Sequence, residues 1–331
     1  MRRSMIENDP QPLAEPARPP NLQPMSLTHF HTEADVAEPA LAHASGCRCA
    51  LHARRRLGGA LIGGGALAAL GLSGPAAAQD EECKISGFTK IVSAEQVEQA
   101  AGQQYASMLQ QASQQRALGP SDNGQVQRLR YIARRIVPFT AGCNPRAQQW
   151  RWEVNLIGSQ ELNAFCMPGG KIAFYWGILA KLKLDDDEVA TIMGHEVAHA
   201  LLEHSRERLA KTMATRGAIE LGAALFGLGG VGQTVAGMGG QLLTLSFSRS
   251  DESEADGLGL VLSAKAGYKP SAGVTLWNKM AAASKGAPPQ WLSTHPSSDT
   301  RIREIEARLA KLEPVYEQAA KPDRRFAPPT V

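Results

Sequence analysis

Aromatic residues make up only 5% of this 331-residue chain, and no basic stretch is interleaved with them. A surface that stacks on and neutralises nucleic acid therefore has no support, and the small net charge of +3 adds none. Cysteine is scarce too. Of five residues, Cys47 and Cys49 lie far N-terminal, and no pair among Cys83, Cys143 and Cys166 has the spacing of a zinc-binding cysteine motif. Long hydrophobic runs are missing: the stretch from Leu57 to Leu72 is short and glycine-rich for a membrane span. No internal repeat is apparent. What the chain does have is 43% hydrophobic residues, enough for a sizeable core, which argues against global disorder.

The first 78 residues differ from the rest. Residues 1–40 are rich in Pro, Ala and Glu and read as disordered. Arg54, Arg55 and Arg56, the apolar run from Leu57 and the triplet Ala76-Ala77-Ala78 form the n-region, h-region and cleavage site of an export signal, cut after Ala78. The arginines resemble a twin-arginine signal, with Ala53 where serine or threonine is usual. The expectation is an exported, periplasmic protein; the alternative is a chain left anchored to the membrane by residues 57–74. Export permits one disulfide among the remaining cysteines, with Cys83–Cys143 the first pairing to test. The expected organisation is a leader over 1–78, an N-terminal helical segment over 79–120 and one domain over 121–331.

Within that domain the patterns alternate between helix and strand. Residues 93–118 have helix-forming composition and stop at Gly119-Pro120. A second helix puts Leu129, Ile132, Ala133 and Ile136 on one face. "WRWEVNLI" alternates as a strand does, and "LNAFCMPGGKIAFYWGIL" reads as strand, turn, strand and helix start. Asp185, Asp186, Asp187 and Glu188 place acids at the start of the next helix, where they suit its dipole. The glycine-rich residues 217–240 read as a tightly packed helical connection rather than a lid. The last helix begins near Ser298 or Asp299. The fold class these patterns give is α+β, mainly α, with a small β-sheet beside the helix that carries the chemistry.

That helix contains "IMGHEVAHALLEHS". His195 and His199 are four residues apart and share a face, so both imidazoles can reach one ion. Glu196 is too far round the helix to be a third ligand, but it can take a proton from a water attacking a carbonyl. Glu203 reads as a surface residue and His204 as turned away from the His195–His199 face. The third ligand is sought in "SRSDESEADGLG", where Glu252 and Asp256 share a helix face. Glu252 can ligate, and Asp256 can accept a hydrogen bond from the non-ligating nitrogen of a histidine and fix its tautomer. Glu254 reads as a solvated residue.

Four motifs in order, "LNAFCMPGGKIAFYWGIL", "GHEVAHALLEH", "SRSDESEADGLG" and "STHPSSDTRIREIE", resemble those of the zinc metallopeptidases of the prenyl-protein-protease, HtpX and BepA type. The resemblance covers roughly residues 120–312. It implies a zincin-like helical catalytic domain that binds one Zn2+ per chain through His195, His199 and Glu252. Glu196 is then the catalytic base, and Asp256, the other residue assigned to catalysis, supports a ligating histidine from behind. His295 resembles a histidine that plugs the open metal position in BepA-like members, and Asn163, Ala164 and Phe165 match the strand that takes up a peptide. The implied activity is a metalloendopeptidase of envelope protein quality control, with unfolded or misassembled proteins as substrates and peripheral membrane contact left open. The rival readings are a zinc-bound, self-inhibited chaperone and a membrane-anchored scaffold.

Overall fold

The structure is a computed structural model that describes residues 83–225, 242, 245–283, 290–295 and 299–330. The leader and most of the glycine-rich segment lie outside the described residues, as does Ser298, one of the two expected caps. The described part is mainly helical with one small sheet, as the sequence patterns require.

The first helix, α1 (Ala94–Gln114), is capped by the Ser93 side chain and follows a short 3-10 turn. Helix α2 (Gly124–Ile136) is capped by Asn123 and buries Leu129, Ile132, Ala133 and Ile136, the face its periodicity marks out. Strands β1 (Glu153–Ile157), β2 (Ala164–Met167) and β3 (Lys171–Tyr175) form a sheet in the order β1-β3-β2. β1 pairs with β3 in parallel, and β2 returns against β3 as a hairpin. Its turn needs glycine. Gly170 has a φ of 74°, and a β-carbon there would lie 2.8 Å from the Trp152 ring. Both faces of the sheet are covered. Ala164, Cys166, Ile172 and Phe174 enter the main core, whereas Phe165, Met167 and Ala173 pack in a second cluster with Val97, Ala101 and Tyr105 of α1. The Cys83–Cys143 disulfide ties the start of this segment to the loop after α2, with the two Cα atoms 5.2 Å apart. Cys166 is free and buried.

A short helix, α3 (Trp176–Lys181), leads into α4 (Asp186–Leu201), the helix of the histidines. The acids at its start do more than suit the dipole. Asp185 and Glu188 form a capping box, each side chain accepting from the other's backbone N–H at 2.9 Å. Asp186 pairs with the fully buried Arg128 of α2 at 2.6 Å. α5 (His204–Leu225) follows after a break. α6 (Arg249–Lys265) then lies along α4 in the most extensive helix contact among the described residues. α7 (Ala272–Ala283), the one-turn α8 (Gln290–Thr294) and α9 (Asp299–Gln318) complete the described helices. α9 runs through Pro314 to Gln318, further than its sequence pattern suggests.

The α4–α6 contact is made backbone to backbone. A β-carbon on Gly259 would sit 2.6 Å from the His195 nitrogen, and one on Gly194 would sit 2.5 Å from the Gly259 carbonyl oxygen. Ser263 seals the crossing by donating to the Ala190 carbonyl at 2.9 Å. Because these nearest atoms are backbone, neither helix can yield without moving as a whole. Gly259→Ala is expected to lower the stability of the metal-free protein by about 3 kcal/mol, the upper end of overpacking costs. Denaturant unfolding checks this, and a loss under about 0.5 kcal/mol, the level of an ordinary surface change, would contradict it.

Candidate metal centre

The α4–α6 crossing brings His195 and His199 against Glu252 and Asp256, and His295 comes in from the residue after α8. His195 Nε2 and His199 Nε2 lie 3.1 Å apart. Glu252 Oε2 is 3.6 Å from the first and Oε1 is 3.5 Å from the second. His295 Nδ1 stands 3.3 Å from His195 Nε2 and 2.9 Å from Glu252 Oε1. Donors bonded to one tetrahedral ion at about 2.0–2.1 Å are separated by about 3.3–3.4 Å, so these spacings are those of a zinc coordination shell. Glu252 Oε2 is also a buried atom without an aligned hydrogen bond, which suits a metal ligand. All four side chains are buried, and together they satisfy the donor set for zinc.

Each ligand is held from behind. Asp256 Oδ1 is 3.0 Å from His195 Nδ1. Asp256 in turn receives two hydrogen bonds from Arg301, at 2.7 and 2.8 Å, while another guanidinium nitrogen lies 2.5 Å from Glu252 Oε2. The Arg301 plane sits 3.9 Å from the Trp277 ring centroid, which leaves the fork little room to turn. Phe247 stacks on His199 with centroids 4.0 Å apart. Burial alone would raise the Asp256 carboxyl, yet the Arg301 charge and the hydrogen bonds from His195 and Arg301 hold it down at about 2. Burial likewise works against an ionised Glu252, but His295, His195 and Arg301 keep its carboxyl below the ordinary value. Burial, then the adjoining His195 and His204, press His199 well below the usual imidazole range, so it is neutral, as a ligand must be. For His295 burial is outweighed by Glu196 and Glu252, and its value rises.

Glu196 points to the other side of the donors. Its Oε1 accepts the Trp291 indole N–H at 2.7 Å and lies 3.6 Å from His295 Nε2. A cleft of about 40 Å³, little more than one or two waters, is lined by Asn163, Ala164, Phe165, Glu196, His199 and His295 among others. The two roomier depressions, about 640 and 550 Å³, share Arg134 and Pro138 and hold none of these groups.

Two readings from sequence need correction. His204 is not turned away: its Nδ1 lies 2.8 Å from His199 Nδ1. The reason is that α4 ends at Leu201 and Glu203 takes a left-handed φ of 59°, so the helical count past His199 no longer applies. Glu203 itself is buried and pairs with Arg206 rather than lying on the surface. Glu254 is half-exposed but has a partner, His204 Nε2 at 3.4 Å. Arg301, Trp291 and Phe247 were not singled out from sequence. Arg301 stands inside "STHPSSDTRIREIE", but nothing in helical periodicity marks a charged residue as buried.

With this geometry in view, similarity to known proteins is informative. A model described as peptidase family M48 matches residues 124–309, more than half of the chain. The chain belongs to peptidase family M48. It is 41% identical over 162 residues to the mitochondrial metalloendopeptidase OMA1 of Schizosaccharomyces pombe, covering 48% of this chain and 47% of that one. It is 28% identical over 204 residues to the metalloprotease LoiP of Escherichia coli, covering 61% and 77%. The beta-barrel assembly-enhancing protease of Yersinia pestis is 29% identical over 184 residues, covering 52% and 37%. The chain spans half or less of the length of the first OMA1 relatives it matches. The M48 match takes in the whole donor cluster, the cleft-lining strand and Arg301.

Arg301 generates a prediction. Removing one partner of a buried ion pair costs about 3–5 kcal/mol, so Arg301→Leu should destabilise the metal-free protein by that amount, and Arg301→Lys, which lacks the fork, should restore only part. The depressed Asp256 contributes stability that is fully present above pH 3.8 and is lost as pH falls towards about 2. In Arg301→Leu, where the Asp256 carboxyl is no longer held down, that loss between pH 3.8 and about 2 should shrink or disappear. Acid titrations of unfolding that coincide for parent and variant would contradict the clamp.

Proposed function

We propose that this M48 member is a zinc-dependent metalloendopeptidase, with His195, His199 and Glu252 as ligands and Glu196 as the base. The observation that carries the reading is the convergence of those donors on one buried point, with the Glu196 carboxylate beside it at the cleft. Zinc bound there supplies a Lewis acid for the scissile carbonyl and lowers the pKa of water. Glu196 takes the proton of the attacking water and hands it to the leaving amine. Asp256 holds the His195 ring by its other nitrogen. Among the described residues β2 pairs with β3 on one edge only, so Asn163, Ala164 and Phe165 can receive an extended peptide by strand addition at the cleft.

From the resemblance of its motif set we further propose that the protein stands with the prenyl-protease, HtpX-like and BepA-like enzymes. An export signal over 1–78, the disulfide and the similarity to LoiP and a beta-barrel assembly-enhancing protease support a periplasmic role in envelope quality control, with unfolded or misassembled proteins as substrates. The OMA1 relatives carry mitochondrial names, so the fold is used in more than one compartment. Among the described residues no helix is long and apolar enough to cross a membrane.

A second reading, a zinc-loaded protein capped by its own chain, is favoured by α8. Trp291 holds Glu196 and His295 fills the fourth donor position, while the Trp291 nitrogen donates to the Leu162 carbonyl at the head of β2. One experiment separates the two. Zinc content and casein cleavage are measured for the full chain, Glu196→Gln and His295→Ala. The peptidase reading expects zinc in all three and at least about a 100-fold loss of cleavage in Glu196→Gln. Cleavage only in His295→Ala would establish the capped state instead, and parent-level cleavage by Glu196→Gln would sink the assigned base.

A further inference from the structure

Two contacts behind His199, one buried and one half-buried, take no part in holding a metal. His199 offers Nε2 to the donor cluster, and its Nδ1 faces His204 Nδ1 at 2.8 Å. Two ring nitrogens at that distance can share only one proton. A neutral His199 that ligates through Nε2 must carry its proton on Nδ1, and it therefore donates to His204. His204 must then be protonated on Nε2. That nitrogen faces Glu254 Oε2 at 3.4 Å, an acceptor.

We propose that His204, backed by Glu254, is a positioning residue that fixes the tautomer and ring orientation of the metal ligand His199. Both zinc-binding histidines then lean on acids of α6: His195 directly on Asp256, and His199 through His204 on Glu254. Glu252, Glu254 and Asp256 lie on one short stretch of that helix, but Glu254 points away from the donors. It reaches the centre only because the left-handed turn at Glu203 sends His204 back beneath His199. Phe247, stacked 4.0 Å above His199, closes the other side of the ring.

The test uses the full chain and zinc as the probe, with affinity read by competition against a chromophoric chelator and unfolding of the zinc-free forms read in parallel. His204→Phe keeps ring volume and removes the acceptor; its zinc Kd should rise about 10–100-fold, the usual cost of losing a partner behind a ligand. His204→Asn, whose amide oxygen can stand where Nδ1 stood, should recover most of that loss. Glu254→Gln should fall between. In the zinc-loaded parent, histidine 15N–1H correlation spectra should show His199 protonated at Nδ1 and His204 at Nε2, which decides the matter even if His204→Phe does not fold. A parent that takes up no zinc would remove the metal centre and this inference together. A parent that binds zinc, with His204→Phe binding as tightly or with His204 protonated at Nδ1, would overturn the positioning role alone.

Discussion

The centre depends on how closely two helices approach. With glycine at 194 and 259, α4 and α6 touch through backbone atoms, where any side chain would hold them apart. The helices run in opposite directions, so His195 meets Asp256 and, one turn on, His199 meets Glu252. Move the helices apart by one methyl group and short side chains such as Asp256 no longer span the gap. The sheet, the disulfide and the capping box at Asp185 hold α4 in place, but the glycine contact sets the donor spacing.

Closeness creates an electrostatic problem that the rest of the site answers. Besides Glu196, the Glu252 and Asp256 carboxylates and the His195, His199 and His295 imidazoles are buried within a few ångströms of one another, where unpaired charge costs several kcal/mol. Arg301 offsets both carboxylates, Trp277 holds Arg301, and each histidine ring is stacked or hydrogen-bonded. What the protein cannot neutralise alone is the set of nitrogen and oxygen lone pairs pointing at one spot. A divalent cation would do so, and in the proposed function the same cation makes the neighbouring Glu196 useful as a base.

The parts of the site that obey helical periodicity were legible in the sequence. His195 with His199, and Glu252 with Asp256, announce themselves as pairs four residues apart, and Glu196 follows from its place between the histidines. The strand–turn–strand reading at 162–179 likewise follows from alternation and the Pro-Gly-Gly turn. What escaped is set by tertiary contact or by a break in regularity. The parallel β1–β3 pairing leaves no local trace. Arg301 looks like any charged helix residue until α9 packs on Trp277. His204 was misplaced because a single left-handed residue, Glu203, resets the count. Trp291 sits in a one-turn helix whose only sequence signal is its neighbour His295.

The most direct measurement is X-ray absorption at the zinc edge on the full chain loaded with one equivalent of metal. The account predicts a shell of nitrogen and oxygen at about 2.0–2.1 Å with imidazole scattering beyond it and no sulfur. A sulfur shell at about 2.3 Å, or a chain that retains no zinc, would contradict it.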